Sequence, residues 1–304
     1  MRKTVASLDI GSYTARMLVA EIVTDKRDFL PLARKREYIN IADFYENPGI
    51  IKQEAIENTV RVLKDFLKKA DELGTEEFYA VATGVIREAK NKMEFVEQLK
   101  DATGIEPVLI SGEKEACLTA EGVIYSLKLK KDIPFVIVDI GGGSTEFFIK
   151  TETTPYICSI PVGAAVLQNR DRDNAASYVR DLLKKNLGNL VIKAEKLIGT
   201  GGTITSLVAM AHGITFDKVC PENLNGKVLT LKQVRKLFEE LVRMSLQEMI
   251  YKFGLDKNRA KVIIPGTVIL LRIMEFFGFS QVIASLSDIL EGIILKPEIL
   301  KKEI

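Results

Sequence analysis

The sequence echoes itself once, and that echo constrains the fold more than any other feature. Val5-Ala6-Ser7-Leu8-Asp9-Ile10-Gly11-Ser12 returns in form as Val136-Ile137-Val138-Asp139-Ile140-Gly141-Gly142-Gly143-Ser144. Each copy is an apolar, β-branched run that ends in Asp, followed by a Gly/Ser turn and a second apolar run, Arg16–Val23 or Glu146–Ile149. Strand, tight turn, strand is the simplest reading of both. About one domain length separates the two aspartates, so the pattern implies a duplicated supersecondary unit.

The stretches between and after the copies alternate in period. Gln53–Glu72 places Ile56, Val60, Leu63, Leu67 and Ala70 at helical spacing, with Gly74 as the stop. Phe78–Ala82 reads as a strand, Val85–Ala89 as a helix start, Met93–Leu99 as its continuation or a second helix, and Pro107–Ile110 as a strand. A helix over Glu113–Ser126 follows. After the second copy come a strand at Tyr156–Pro161, a helix at Asn174–Leu187 and a strand at Lys196–Ile198. Helices at Ile204–Ala211, Leu231–Phe253 and Ala260–Phe277 and a strand at Gln281–Ala284 complete the pattern. Alternating strands and helices predict an α/β fold. A chain of 304 residues usually divides into two cores. The expected division is 1–126 and 127–297, with 298–304 packing back on the first lobe.

Composition removes several function classes. The 43 basic and 41 acidic residues leave a net charge of +2, which gives no global field for a nucleic-acid polymer or an anionic membrane. The basic runs 128–131 and 184–185 read as solvated faces. Cys117, Cys158 and Cys220 lack CxxC spacing, so neither a zinc site nor a disulfide framework is expected, and a reducing cytoplasmic setting fits. His212 is the single histidine, a poor basis for metal binding or Ser-His catalysis. Arg2 and Lys3 precede an apolar stretch that runs into Asp9, too short for a signal-peptide core. Pro265, Gly266, Arg272 and Glu275 interrupt Val262–Phe277, the most apolar region.

Three Gly-rich turns follow expected strands: Gly11-Ser12, Gly141-Gly142-Gly143-Ser144 and Gly199-Thr200-Gly201-Gly202-Thr203. Such turns present backbone N–H groups to an anion, and Thr203 before a helix adds the attraction of a helix N-terminus. Neither a GxGxxG after a strand nor a GxxxxGK[ST] is present, so dinucleotide-fold and P-loop readings lack their motifs. Asp9 and Asp139 close strands where loops begin; each either caps its own turn or holds Mg²⁺, with Glu146 able to reach the same ion. Glu115 stands in Ser111-Gly112-Glu113-Lys114-Glu115, either as a helix-start acid or as a group that orients water against phosphorus. Arg16, Arg87 and Arg259 flank these loops and are either surface residues or phosphate forks.

Taken in order, the segments resemble one family. Asp9-Ile-Gly-Ser with Arg16, Ala82-Thr-Gly-Val-Ile-Arg87, Ile110-Ser-Gly-Glu-Lys-Glu115-Ala, Asp139-Ile-Gly-Gly-Gly-Ser-Thr-Glu146, Gly199-Thr-Gly-Gly-Thr203 and Arg259-Ala-Lys-Val-Ile are similar to motifs of the exopolyphosphatase/guanosine pentaphosphate phosphohydrolase family, in its short two-domain form. The resemblance implies an actin-like ATPase-type fold of two ribonuclease-H-like lobes with an interlobe cleft. It implies Mg²⁺-dependent removal of the terminal phosphate from polyphosphate, guanosine pentaphosphate or both. Glu115 is then the catalytic base, Asp139 and Glu146 the metal-associated acids with Asp9 a further candidate, and Arg16, Arg87 and Arg259 the substrate-phosphate ligands. Gly11, Ser12, Gly141, Gly142, Gly143, Ser144, Gly201, Gly202 and Thr203 are expected to hold phosphates. The substrate is the expected partner, with a homodimer left open. Tyr13, Cys117 and Leu290 depart from the family pattern. A kinase of the same fold, or a non-catalytic nucleotide sensor, would share the Gly-rich pieces.

Overall fold

A computed structural model describes residues 2–23, 28–46, 49–130, 132–168, 170, 172–188, 190 and 193–300. Lys131 of the basic run and 301–304 of the C-terminal segment lie outside them. The chain divides into two compact units, Met1–Gly122 with Ile289–Ile304, and Val123–Asp288.

In the first unit β1 (Arg2–Ile10), β2 (Thr14–Val23) and β3 (Asp28–Tyr38) form an antiparallel meander. A two-rung ladder of β4 (Tyr45–Glu46) and β5 (Ile50–Ile51) precedes α1 (Gln53–Glu72). Then come β6 (Glu77–Ala82), α2 (Val85–Glu88), α3 (Lys92–Thr103), β7 (Val108–Leu109) and α4 (Gly112–Leu127). The sheet order is β3-β2-β1-β6-β7, with β6 and β7 parallel to β1. α1 buries Ala55, Ile56, Thr59, Val62, Leu63, Phe66 and Ala70, the stripe that a helix turns toward a core. Residues 93–99 form a separate helix, because Ala89 leaves α2 in an extended conformation.

The second unit repeats that plan. β8 (Phe135–Ile140), β9 (Thr145–Lys150) and β10 (Tyr156–Ile160) form the meander. α5 (Arg172–Leu187), β11 (Lys196–Thr200), α6 (Gly201–Ala211), α7 (Pro221–Leu224) and β12 (Val228–Thr230) follow. α8 (Leu231–Leu241), α9 (Leu246–Phe253), α10 (Lys257–Phe277) and β13 (Gln281–Ala284) complete it. The order β10-β9-β8-β11-β13-β12 matches the first sheet position by position and adds β12 at one edge. Every residue of β8 is buried, as expected of a central strand covered on both faces. The two units thus share the ribonuclease-H-like order that the resemblance implied.

Three expectations need correction. The helix expected over 231–253 is two helices, because Ser245 caps α9: its hydroxyl accepts from the Glu248 amide (3.3 Å) and Glu248 accepts from the Ser245 amide (2.7 Å). The helix expected from Ala260 starts at Lys257, where Asp256 accepts from the Arg259 amide (2.7 Å). The C-terminal helix α11 (Ile289–Leu295) belongs to the first unit, where Ile289, Leu290, Ile293 and Ile294 pack with Val5, Leu18, Ala20 and Val81. The buried Glu291 of α11 accepts from Arg34 of β3. The unit boundaries therefore fall after Gly122 and Asp288.

Candidate active site

Each unit places its Asp, Gly-rich turn and facing strand in the same register. In the first unit Asp9, the next-to-last residue of β1, stands directly across from Arg16 on β2. Arg16 donates from Nε (3.0 Å) and Nη2 (2.6 Å) to Asp9 Oδ2, and the Thr83 hydroxyl lies 3.3 Å from Asp9 Oδ1. The carboxylate, 5% exposed, is thereby neutralised by its cross-strand neighbour. This pairing argues against Asp9 as a metal ligand, because a guanidinium already supplies the positive charge. Ser12 turns its hydroxyl to the Val85 amide (3.0 Å) and so holds the start of α2. A Cβ on Gly84, whose φ is +60°, would lie 2.1 Å from that hydroxyl oxygen.

A second cluster of the first unit joins α2 to α4. Arg87 Nη1 donates to the Ile110 carbonyl (3.2 Å) and to Glu115 Oε2 (3.3 Å). Glu115 lies in the first turn of α4, which Ser111 caps through the Lys114 amide (3.2 Å). Glu113 in the same turn is held below the usual carboxylate range, first by its own backbone amide and then by the Ser111 hydroxyl. Two residues picked from distant motifs, Arg87 and Glu115, are therefore in contact.

In the second unit the partner across from the Asp is an acid. Asp139 faces Glu146 on β9 and Thr200 on the parallel strand β11. Both carboxylates are buried, and the Ser159 hydroxyl of β10 donates to Glu146 Oε1 (2.8 Å). Gly201, at φ +85°, opens α6 against this pair, and a Cβ there would stand 2.4 Å from Asp139 Oδ1. The Arg259 guanidinium lies on the next residue, since a Cβ on Gly202 would be 1.9 Å from Nη2 and 2.1 Å from Nη1. A cation so close to the positive end of a helix suits an anion bound beside both. Thr203 is a different case. It lies inside the first turn of α6, not before it, with its buried side chain packed against Gly266 of α10.

The amides of the two turns divide sharply. Gly11 and Gly141 spend theirs closing the turns, on Thr14 O (2.9 Å) and Ser144 O (3.0 Å). Among the described residues the amides of Ser12, Tyr13, Gly142, Gly143 and Ser144 donate to no protein group. Successive amides of this kind form an anion-binding concavity. Tyr13, not among the turn residues expected from the sequence, presents such an amide beside Ser12, while Gly11 and Gly141 shape the turns.

Among the described residues no three His, Cys, Asp or Glu side chains gather as a metal cluster. The Asp139–Glu146 pair nevertheless fits Mg²⁺, which takes one or two carboxylates and fills its remaining positions with water and substrate phosphate. Like charges directly across a ladder repel, and a divalent cation relieves that repulsion.

The departures also find places. Tyr13 is half-buried, and its hydroxyl is pushed up to about 12, first by burial and then by the Asp43 charge. Cys117 is raised chiefly by burial, with Glu121 and Glu113 adding to it. Leu290 fills the core under α11. Thr83, Gly84 and Ser159 also serve the site, though single Thr, Gly or Ser residues beside a strand carry no distinctive sequence signal.

Comparison with known proteins decides the family. The sequence pattern of the Ppx/GppA phosphatase family matches residues 18–301. The chain belongs to this family. A family member from Aquifex aeolicus of known crystal structure is 31% identical, with a TM-score of 0.82 over 100% of both chains. Exopolyphosphatase 2 of Mycobacterium tuberculosis is 25% identical over 96% of this chain and 97% of its own. The bifunctional 3-dehydroquinate synthase/phosphatase of Fusobacterium nucleatum is 31% identical over 96% of this chain, which spans only 46% of that longer relative. An exopolyphosphatase from Cytophaga hutchinsonii shares the fold, with a TM-score of 0.86 at 22% identity. Among the described residues of this Ppx/GppA phosphatase family member, no helix is long and apolar enough to cross a membrane.

Proposed function

We propose that this Ppx/GppA phosphatase family member hydrolyses the terminal phosphoanhydride bond of inorganic polyphosphate, of guanosine pentaphosphate, or of both. The observation that carries the reading is the second unit's site. A buried Asp139–Glu146 pair, a turn with three amides that bond no protein group, and Arg259 over the start of α6 together match a metal-bound polyanion. Phosphoryl transfer asks mainly for positioning and charge compensation, which such groups supply.

Roles follow from the chemistry of each residue. The amides of Gly142, Gly143 and Ser144 bind phosphate oxygens, and the Ser12 and Tyr13 amides give the first unit a turn of the same chemistry. Mg²⁺ held by Asp139 and Glu146 would neutralise phosphate and leaving-group charge when bound. Arg259 offsets charge on the transferred group. Glu115 orients and deprotonates the attacking water, and Arg87, bonded to the Ile110 carbonyl as well, fixes its rotamer.

Phosphate release with Mg²⁺ from long-chain polyphosphate, tripolyphosphate, guanosine pentaphosphate and ATP, in parallel, tests the proposal. Release from polyphosphate or guanosine pentaphosphate is expected, and Glu115→Gln is expected to lower kcat by about 10²–10⁴ with little change in KM. Near-wild-type turnover in that variant rejects the role of Glu115. Transfer to an added acceptor instead of water rejects the hydrolase.

A further inference from the structure

The segment after β10 grips the Gly141–Ser144 turn at several points. The Ala164 amide donates to Gly141 O (2.9 Å), and the Ala165 and Val166 amides donate to Gly142 O (3.0 and 3.3 Å). Next to them, the Thr145 hydroxyl donates to Val162 O at 2.5 Å. Gly163 lies flat on the turn. A Cβ there would stand 2.3 Å from Gly142 O, 2.4 Å from Gly142 C and 2.6 Å from Gly143 N. All three atoms belong to one peptide group.

That geometry has a consequence through the peptide plane. In a trans peptide the C=O of one residue and the N–H of the next point in opposite directions within a rigid plane. Holding Gly141 O toward Ala164 aims the Gly142 N–H the other way. Holding Gly142 O toward Ala165 and Val166 aims the Gly143 N–H the same way. Those two amides are among the ones that bond no protein group. We infer that Gly163, Ala164 and Ala165 form a positioning brace that fixes the direction of the phosphate-binding amides before substrate arrives. The inference rests on the proposed phosphate role of that turn.

The first unit supplies an independent parallel. After β3, the Ile39 and Asn40 amides donate to Tyr13 O (2.9 and 3.1 Å), and the Ala42 amide donates to Ser12 O (2.9 Å). Asn40 adopts φ +51° to make this approach, a conformation that side-chain-bearing residues seldom take. By the same logic, the Ser12 bond aims the Tyr13 N–H. The duplication therefore extends to the segment behind each turn. Gly163 stands in one of these segments and Asn40 in the other. Pre-set donors of this kind need no reorganisation when charge develops on the substrate, which is where their catalytic value lies.

The test compares Gly163→Ala with Gly188→Ala. A Cβ on Gly188 meets Lys184 O at 2.4 Å, a similar clash at the end of α5. Tripolyphosphate hydrolysis and pyrophosphate binding by calorimetry are measured for both. Gly163→Ala is expected to lower kcat/KM by about 10²–10³, the scale of one lost oxyanion donor, and to weaken pyrophosphate binding at least tenfold. Gly188→Ala is expected to lower the melting temperature while keeping both constants. A folded Gly163→Ala protein with wild-type constants overturns the brace. Absence of hydrolysis and binding in the wild type overturns the phosphate reading instead. If Gly163→Ala does not fold, amide exchange of the wild-type protein decides. Without ligand, Ala164 and Ala165 are expected to be protected and Gly142 and Gly143 to exchange, with pyrophosphate protecting the second pair. Rapid exchange of Ala164 and Ala165 in the free protein overturns the brace.

Discussion

The substitution Glu146→Gln separates the two copies of the hairpin most sharply. In the first unit the strand-end Asp faces Arg16; in the second it faces Glu146. Directly opposed residues of an antiparallel pair hold their Cβ atoms about 4.5–5.5 Å apart. Carboxylates extending from them at about 6 Å repel by about 3 kcal/mol at an effective dielectric of about 20. Neighbouring polar groups such as Ser159 soften this, leaving about 1–2 kcal/mol. The carbonyl oxygen of the introduced amide can still accept from Ser159, so the substitution removes charge and keeps the hydrogen bond. In EDTA the variant is therefore expected to melt about 2–8 °C above the wild type, using about 2–4 °C per kcal/mol for a domain of this size. Most substitutions of buried residues act in the opposite direction, which makes the sign diagnostic. With millimolar Mg²⁺ the wild type is expected to gain stability, about 2.7 kcal/mol at a hundredfold excess over Kd, and the variant to gain little. Phosphate release by the variant should be lost. A lower melting temperature in EDTA, or an undiminished Mg²⁺ shift, refutes the opposed-carboxylate reasoning.

Two further outcomes test the surrounding structure. Arg34→Ala takes a guanidinium away from the buried Glu291 and is expected to cost about 1–3 kcal/mol in a urea melt; a loss below about 0.5 kcal/mol would show that this ion pair does not hold α11. Tyr13 ionises near 12 in the folded protein against an ordinary value of 10.0, so it favours the native state fully below pH 10 and loses that contribution as pH rises toward 12. Wild-type stability should therefore fall more steeply than that of Tyr13→Phe between pH 10 and 12, and parallel pH profiles would contradict the buried hydroxyl.

The sequence carries the site better than it carries the periphery. Asp9, Asp139 and the turns behind them are legible because a buried strand ending in Asp-Ile-Gly is a composition that loops and helices seldom produce, and it occurs twice. Arg87 and Glu115 can be named singly, but their contact joins α2 to α4 through tertiary packing and leaves no periodic trace. β3 is hard to read because it is an edge strand whose burial does not alternate. α11 is equally hard because most of its surface is buried, so it has no polar face to mark a helical period. The break between α8 and α9 is available in principle, since Ser245-Leu-Gln-Glu248 is a capping box written in the sequence. The braces behind the turns are beyond reach. They consist of backbone amides and carbonyls, and only Gly163 and Asn40 hint at them.

In the proposed reaction water, and no other acceptor, takes the terminal phosphate. Hydrolysis of tripolyphosphate with Mg²⁺ in ¹⁸O-enriched water, followed by mass analysis of the released orthophosphate, addresses it without intermediaries. One solvent-derived oxygen in each phosphate released from the chain end is expected, and Glu115→Gln should suppress the labelled product. Orthophosphate free of solvent oxygen, or none released from polyphosphate or guanosine pentaphosphate by a folded protein that binds them, would contradict it.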